Sequence, residues 1–226
     1  YKNYKDEHDQ IIKYHENLIL GKNRTIALKN AERKKFQSVI LDDGFQDCSI
    51  KKDLNIICFN QKQQVGNGRV IPAGPLRESI ASLKEAHIVV VNGKRDDTFA
   101  KKILEANNNL EIYYSHYKPT NVDHFKNQNL LAFAGIGNPE NFFELLQEYG
   151  LNVSKSIIFS DHHNFNHNEL LKLIDTAHES NLKIITTEKD FMRIKKFNFK
   201  EIKYLKVELV INNFEKLKNR ILKLYD

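Results

Sequence analysis

The chain has 226 residues, 41% hydrophobic and 28% charged, with 35 Lys+Arg against 29 Asp+Glu and a net charge of +6. These proportions fit a soluble globular chain of one large or two small domains, and exclude a disordered tail, a collagen or a membrane bundle. Two cysteines, Cys48 and Cys58, give no disulfide framework or Cys-based zinc site, and no run reaches the roughly 18 apolar residues of a membrane span.

In chain order, residues 24–35 read as a helix, followed by an apolar run at 38–41 that ends in Asp42-Asp43-Gly44. A strand is expected at 54–59, a helix at 77–86 and a strand at 87–91. The stretch 107–118 is polar and Asn-rich, carries a strand at Tyr113-Tyr114 and breaks at Pro119. Strand 130–134, helix 139–149, helix 168–180, strand 183–186, strand 205–211 and helix 214–224 complete the pattern. The apolar runs are β-branched and continuous rather than alternating, which suits strands buried on both faces of a parallel sheet. Strand alternating with helix predicts a doubly wound α/β protein. A boundary near residue 118 gives two domains, 1–118 and 119–226, the second a compact Rossmann-like unit. The first opens abruptly at Tyr1, as though its opening strand and helix were missing.

Five segments have the residue types that chemistry needs. Asp42 and Asp43 follow an apolar run, where a carboxylate at the carboxyl edge of a parallel sheet can hold Mg²⁺; an Asp-Gly turn leaving a strand reads equally well. Residues 66–78, Gly-Asn-Gly-Arg-Val-Ile-Pro-Ala-Gly-Pro-Leu-Arg-Glu, form a rigid loop entering a helix. Arg77 near that helix start gains nothing from the macrodipole, so its use is to grip a phosphate or carboxylate, or to pack the loop. Arg24 repeats the pattern after Gly21-Lys22-Asn23, and alone reads as surface. Asp161-His162-His163 offers a general base with its orienting acid, a metal ligand, or a polar turn before a helix. Strand periodicity would send the two histidines to opposite faces. Thr186-Thr187-Glu188-Lys189-Asp190 ends a strand in hydroxyls and charges, able to meet a phosphate or to cap a turn. Gly135-Ile136-Gly137-Asn138-Pro139 is a strand-to-helix turn without the third glycine of a dinucleotide fingerprint or the Lys-Ser/Thr of a P-loop. The lysine pairs 34–35, 51–52, 101–102 and 195–196 are dispersed, as on a solvated face or one drawn to an anionic membrane or phosphorylated substrate. No aromatic-interleaved basic motif calls for nucleic acid.

Taken in order, Leu41-Asp42-Asp43-Gly44-Phe45-Gln46, Pro72-Ala73-Gly74-Pro75-Leu76-Arg77-Glu78, Ala134-Gly135-Ile136-Gly137-Asn138-Pro139, Asp161-His162-His163 and Thr186-Thr187-Glu188-Lys189-Asp190 resemble the tetraacyldisaccharide 4′-kinases of lipid A synthesis. The resemblance runs from about Asp6 to the C-terminus. It implies transfer of the ATP γ-phosphoryl group to the 4′-hydroxyl of a lipid disaccharide 1-phosphate. The implied fold is an incomplete P-loop NTPase-like parallel sheet joined by a two-stranded linker to a smaller Rossmann-like α/β domain. Asp42 and Asp43 would serve Mg²⁺, Asp6 would act as base supported by Asp161 and His162, and Arg24, Arg77, Glu78 and Gln46 would meet the substrate. The partners implied are the lipid and the cytoplasmic face of the bacterial inner membrane. Departures are Lys5 where the family has Gly, which makes Asp9 a rival for the base, and Asp47 where a His often stands. No Gly-rich Lys-Ser/Thr loop occurs in the 226 residues, so the expectation is a chain nearly inactive without an N-terminal P-loop segment. A metal-dependent phosphoesterase using Asp42, Asp43, Asp161, His162 and His163, or a non-catalytic module for anionic lipid, are the alternatives.

Overall fold

The computed structural model describes residues 11, 12 and 15–225. Its elements run α1 (Arg24–Arg33), β1 (Ile56–Asn60), β2 (Ile88–Asn92), α2 (Asp97–Ala106), β3 (Glu111–Pro119), β4 (Asn129–Ala134), α3 (Pro139–Glu148), β5 (Asn152–Ile158), α4 (His167–Glu179), β6 (Lys183–Thr187), α5 (Glu188–Ile194), β7 (Ile202–Leu205), β8 (Val207–Ile211) and α6 (Phe214–Leu222). One unit is built on Tyr117–Glu208 and the other on Leu20–His116 with Leu209–Asp226. Residues 15–19 also belong with the Tyr117–Glu208 unit, so where the sequence suggests one cut near residue 118 the chain crosses three times, after Ile19, inside β3 and inside β8.

In the unit containing Leu20–His116 the sheet has the order β1-β2-β3-β8, and β2 runs parallel to both β1 and β3. β2 is apolar and buried over Ile88–Val91 because both its faces are covered. Val89 and Val91 pack with Phe99 and Ile103 of α2, while Ile88 and Val90 pack with Tyr113 and Leu217 of α6. Helix α2 is capped by Asp96, whose carboxylate accepts from the Phe99 N–H at 3.0 Å.

The Tyr117–Glu208 unit is a doubly wound sheet of order β5-β4-β6-β7, with every neighbouring pair parallel. Alternate residues of β4 divide its two cores. Leu131 and Phe133 pack with Leu170, Leu173, Ile174 and Ala177 of α4, and Leu130, Ala132 and Ala134 with Phe142 and Leu146 of α3. Burying each such large side chain stabilises by about 1.5–3 kcal/mol. Helix α4 starts with a capping box: the Asn166 side chain accepts from the Glu169 N–H while Glu169 accepts from the Asn166 N–H, both at 2.9 Å. The chain leaves β4 toward β5, then returns past β4 to β6. The crevice outside the carboxyl ends of β4 and β6 is thus the switch point where open α/β sheets take their ligands.

Three expected elements differ. Residues 38–41 form no strand, and Ile40 is 97% exposed. An apolar run becomes a strand only against a ladder partner, and β1 pairs with β2 alone among the described residues. The expected helix at 77–86 is a 3₁₀ helix, Ile80–Glu85, without a side-chain cap. Its closing carbonyls are taken by side chains instead: Asn107 donates to Leu83 O and Ala86 O, and Asn55 to Glu85 O. The expected strand at 205–211 is two strands in two sheets, broken at Lys206. There the Lys206 N–H donates to Asn121 Oδ1 at 2.8 Å and its carbonyl accepts from the Thr120 N–H at 2.9 Å. No helix among the described residues is long and apolar enough to cross a membrane.

Candidate functional site

Two polar turns, one in each unit, contain most of the singled-out residues. The first is 42–47 in the Leu20–His116 unit. Asn23 caps α1 by accepting from the Ile26 N–H, which sets Arg24 at the first helical position. Arg24 Nη2 donates to Asp42 O at 3.0 Å and Asp43 O at 2.9 Å, and its Nη1 lies 3.5 Å from Asp47 Oδ2. From the other end Lys52 Nζ donates to Gly44 O, Phe45 O and Asp47 O at 3.2, 3.0 and 2.7 Å. Two cations therefore gather five backbone carbonyls of one turn. Asp43 sits at φ 50°, a conformation a non-glycine residue keeps only where its surroundings hold it. Gly44 is required by crowding, since a Cβ there would lie 2.6 Å from Leu41 Cβ.

The same turn meets the Pro-Ala-Gly-Pro-Leu-Arg-Glu segment. Arg77 forms an ion pair with Asp43, both side chains being more than half exposed, and this pairing raises the Arg77 pKa. Residues 69–76 fold back on themselves, Ile71 N–H donating to Leu76 O and Leu76 N–H to Arg69 O. A cavity of about 290 Å³ is lined by Phe45, Gln46, Pro75, Leu76, Arg77 and Glu78 among others. Gln46 Oε1 is buried there without a hydrogen-bond partner among the described residues. The Ser49 hydroxyl first, then the Ser49 N–H, with Arg24 adding less, hold the Asp47 carboxyl below its usual range. Asp47 is thus an organiser of the turn.

The second turn follows β5 in the Tyr117–Glu208 unit. Phe159 N–H donates to Ala134 O and His162 N–H to Gly135 O, which draws the turn over the switch-point crevice. His162 has φ 55°. Its Nδ1 lies 3.1 Å from Arg193 Nη2, and Asp161 Oδ1 is 4.0 Å from its Nε2. His163 turns elsewhere: its ring packs 4.8 Å from both Phe159 and Phe165, and its Nε2 is 3.3 Å from Glu169 Oε2. The Asn166 N–H and then His163 pull the Glu169 carboxyl below its usual range. The two histidines have separate partners, and the residues bear them on a turn rather than on a strand.

Beneath His162 stands Asp190, fully buried. Its carboxylate accepts from the Gly135 N–H at 2.9 Å, Thr187 Oγ1 at 2.8 Å and Arg193 Nη1 at 2.8 Å. Thr187 is the N-cap of α5, accepting from the Asp190 N–H at 3.1 Å. Lys52, Asp190 as an internal partner and Arg193 were not visible in the sequence. A single lysine five residues beyond Asp47, or an arginine three beyond Asp190, has no spacing that sets it apart in a Lys-rich chain.

Arg24, Asp42, Asp43, Gln46, Arg77 and Glu78 thus gather about one turn and its cavity, and Asp161 and His162 about another. Asp6, and its rival Asp9, lie outside the described residues. Among the described residues no three His, Cys, Asp or Glu side chains gather as metal ligands. Asp42 and Asp43 are adjacent exposed carboxylates, hard oxygen donors with room for water, and this suits Mg²⁺, which binds through one or two carboxylates and completes its shell with water and phosphate.

Parallel sheets, a switch-point crevice and a turn of paired acids closed by arginines define a doubly wound α/β protein whose polar turns sit where such folds take ligands. More particularly, the chain belongs to the tetraacyldisaccharide-1-P 4′-kinase family (LpxK), whose family model matches residues 6–226. It is 39% identical over 229 residues to a tetraacyldisaccharide 4′-kinase of Pelagibacter ubique, covering 99% of this chain and 72% of that protein. It is 37% identical over 217 residues to one of Rickettsia akari, covering 92% and 66%. One of Parvibaculum lavamentivorans is 36% identical over 173 residues, covering 76% and 51%. The chain thus spans from about half to about three quarters of the length of these relatives. The fold is similar to that of LpxK from Aquifex aeolicus, crystallised in complex with ATP, with a TM-score of 0.60 at 23% identity over 88% of this chain and 61% of that one.

Proposed function

We propose that the chain is the acceptor-binding and metal-binding part of a kinase that moves the ATP γ-phosphoryl group to the 4′-hydroxyl of a tetraacyldisaccharide 1-phosphate. The observation that carries the reading is the meeting of the family's two most specific segments at the Asp43–Arg77 ion pair beside one cavity. Family membership, the names of the relatives and the ATP-bound structural relative support it.

In this reading Asp42 and Asp43 would hold Mg²⁺, which neutralises charge on the β- and γ-phosphates when bound. Arg24 ties down the carbonyls of Asp42 and Asp43, and Lys52 holds those of the rest of the turn. Arg77, resting on Asp43, is a guanidinium ready to offer a free N–H edge to an anionic sugar phosphate. Glu78 and Gln46 line the same cavity and offer hydrogen bonds to sugar hydroxyls. Asp6 is the base for the attacking hydroxyl, and His162 with Asp161 supports it. Cradling the ATP phosphates needs a Gly-rich Lys-Ser/Thr loop, which these 226 residues do not contain, so we propose that transfer requires such a segment. We place the protein at the cytoplasmic face of the inner membrane, where its net charge of +6 favours anionic lipid. No observation favours the phosphoesterase, since His163 is packed between phenylalanines and paired with Glu169.

Asp43→Asn should lower kcat about 100-fold, the scale for losing one group that stabilises developing charge. Arg77→Met should instead raise the acceptor KM about tenfold, the equivalent of one charge-assisted hydrogen bond. Steady-state kinetics of both variants, measured in a form that carries such a loop segment, that match the wild type would contradict the assignment.

A further inference from the structure

The turn after β5 places the His162 imidazole over the crevice between β4 and β6, where Arg193 is its partner. Arg193 is nearly buried, its side chain 11% exposed. Its Nη1 is committed to two groups, Asp190 Oδ1 at 2.8 Å and Gly135 O at 2.7 Å. Asp190 is itself held by the Gly135 N–H and the Thr187 hydroxyl, so the guanidinium plane is fixed from below by both strand ends that form the crevice. Its other terminal nitrogen, Nη2, then reaches His162 Nδ1 at 3.1 Å. A guanidinium has donors and no acceptor. The contact therefore requires a lone pair on Nδ1, and the neutral ring has its one proton on Nε2. The ring is 39% exposed, with Asp161 Oδ1 4.0 Å from Nε2. The backbone agrees with this: His162 is kept at φ 55° by its N–H bonds to Gly135 O at 3.2 Å and Asp161 Oδ1 at 2.9 Å.

We propose that Arg193 is a positioning residue that locks His162 in the Nε2–H form, so that the ring works as a hydrogen-bond donor and not as a base. The inference deepens the kinase reading, on which His162 is a site residue, and rests on it for its catalytic meaning. A donor at Nε2 supports a carboxylate that takes the acceptor's proton, and cannot itself take that proton while neutral. Asp190 is the foundation: it holds Arg193 by charge and geometry, and ties its aim to the Gly135 turn. A lysine at 193 can satisfy Asp190 but cannot also span to Gly135 O and His162, because it has one nitrogen where arginine offers a fork.

The test is long-range ¹H–¹⁵N NMR of histidine-labelled protein at about pH 8.5, two units above the ordinary imidazole pKa. His162 should show a pyridine-type Nδ1 and a pyrrole-type Nε2 in the wild type. Arg193→Lys, which keeps the buried charge and so the fold, should shift the ring toward averaged nitrogen signals. A wild-type ring protonated on Nδ1 overturns the proposal by itself, as do identical signals in Arg193→Lys. Catalytic meaning is read in a kinase assay on a transfer-competent form. Arg193→Lys should lower kcat by at least about tenfold, a fraction of what acid–base groups contribute, with the ATP KM unchanged. His162→Gln has a fixed N–H near the place of Nε2, so Arg193→Lys should cost no further activity in that background; additive losses overturn the coupling. The NMR arm uses neither nucleotide nor lipid, so failure of the tautomer lock and failure of the kinase reading give different results.

Discussion

Asp190→Ala should be the most destabilising single substitution in the Tyr117–Glu208 unit outside its apolar cores. Asp190 is wholly buried and its carboxylate accepts three hydrogen bonds, from the Gly135 N–H, the Thr187 hydroxyl and Arg193. Removal leaves the Gly135 N–H without its acceptor, at about 1–3 kcal/mol for a buried orphan donor. It also leaves the Arg193 charge, 11% exposed, without its carboxylate. Breaking a buried pair by removing one partner costs about 3–5 kcal/mol, and the orphaned amide lies within that sum. With an m-value of about 2 kcal/mol/M, the urea midpoint should fall by roughly 2 M. Asp190→Asn should recover part of the loss, because one oxygen remains to serve either Gly135 or Arg193 but not both. Adding Arg193→Met to Asp190→Asn should cost less than the sum of the two, since the uncompensated charge has gone. Equilibrium urea unfolding followed by far-UV circular dichroism measures all three. An Asp190→Ala midpoint equivalent to a loss under about 1 kcal/mol would refute the view that this carboxylate ties the two strand ends together.

Acid stability should depend on Glu169, whose carboxyl is held below the usual 4.5 by the Asn166 N–H and by His163. A depressed folded pKa stabilises above the unfolded value and is lost as pH falls from 4.5 through the folded value. Glu169→Gln should flatten that part of the acid-unfolding curve, and an unchanged slope below pH 4.5 would count against the capping box as its source. At the alkaline end, burial and then the hydrogen bond to Glu111 push the Tyr113 phenol up to about 12. Its contribution should be complete below the ordinary value of 10.0 and lost as pH rises through about 12; a spectrophotometric titration in which every tyrosine ionises near 10.0 would contradict this. Arg24→Met should loosen the 42–47 turn and weaken Mg²⁺ binding without unfolding the chain, because Lys52 still holds three of its carbonyls. Calorimetry showing equal Mg²⁺ affinity in the two proteins would argue against Arg24 as an organiser.

Strands buried on both faces were legible. β2 and β4 read as unbroken apolar runs because each has a helix on either side. The edge strand β5 was not legible: Asn152–Ile158 is mostly exposed, so neither a continuous run nor a clean alternation marks it. Residues 38–41 show the converse error. Val39-Ile40-Leu41 has strand composition, yet composition supplies no ladder partner, and Ile40 stands in solvent. Helix α2 was hidden because its buried face rests on only Phe99 and Ile103, within a charged sequence. The acid turn and the Arg77 loop were legible as unusual segments, whereas their meeting at Asp43–Arg77 is a tertiary fact between partners 34 positions apart. Arg193 reaches His162 across 31 residues and Gly135 across 58, distances at which no local pattern operates.

The central claim is tested most directly by phosphoryl transfer from ATP to tetraacyldisaccharide 1-phosphate in the presence of Mg²⁺. The assay should be run on the chain alone and on the chain fused behind the N-terminal segment of its Pelagibacter ubique relative, each with and without Asp43→Asn. The account predicts 4′-phosphorylated product from the fusion, little from the chain alone, and loss of product with Asp43→Asn. A folded fusion that yields no product, or one whose yield is indifferent to Asp43, would contradict it.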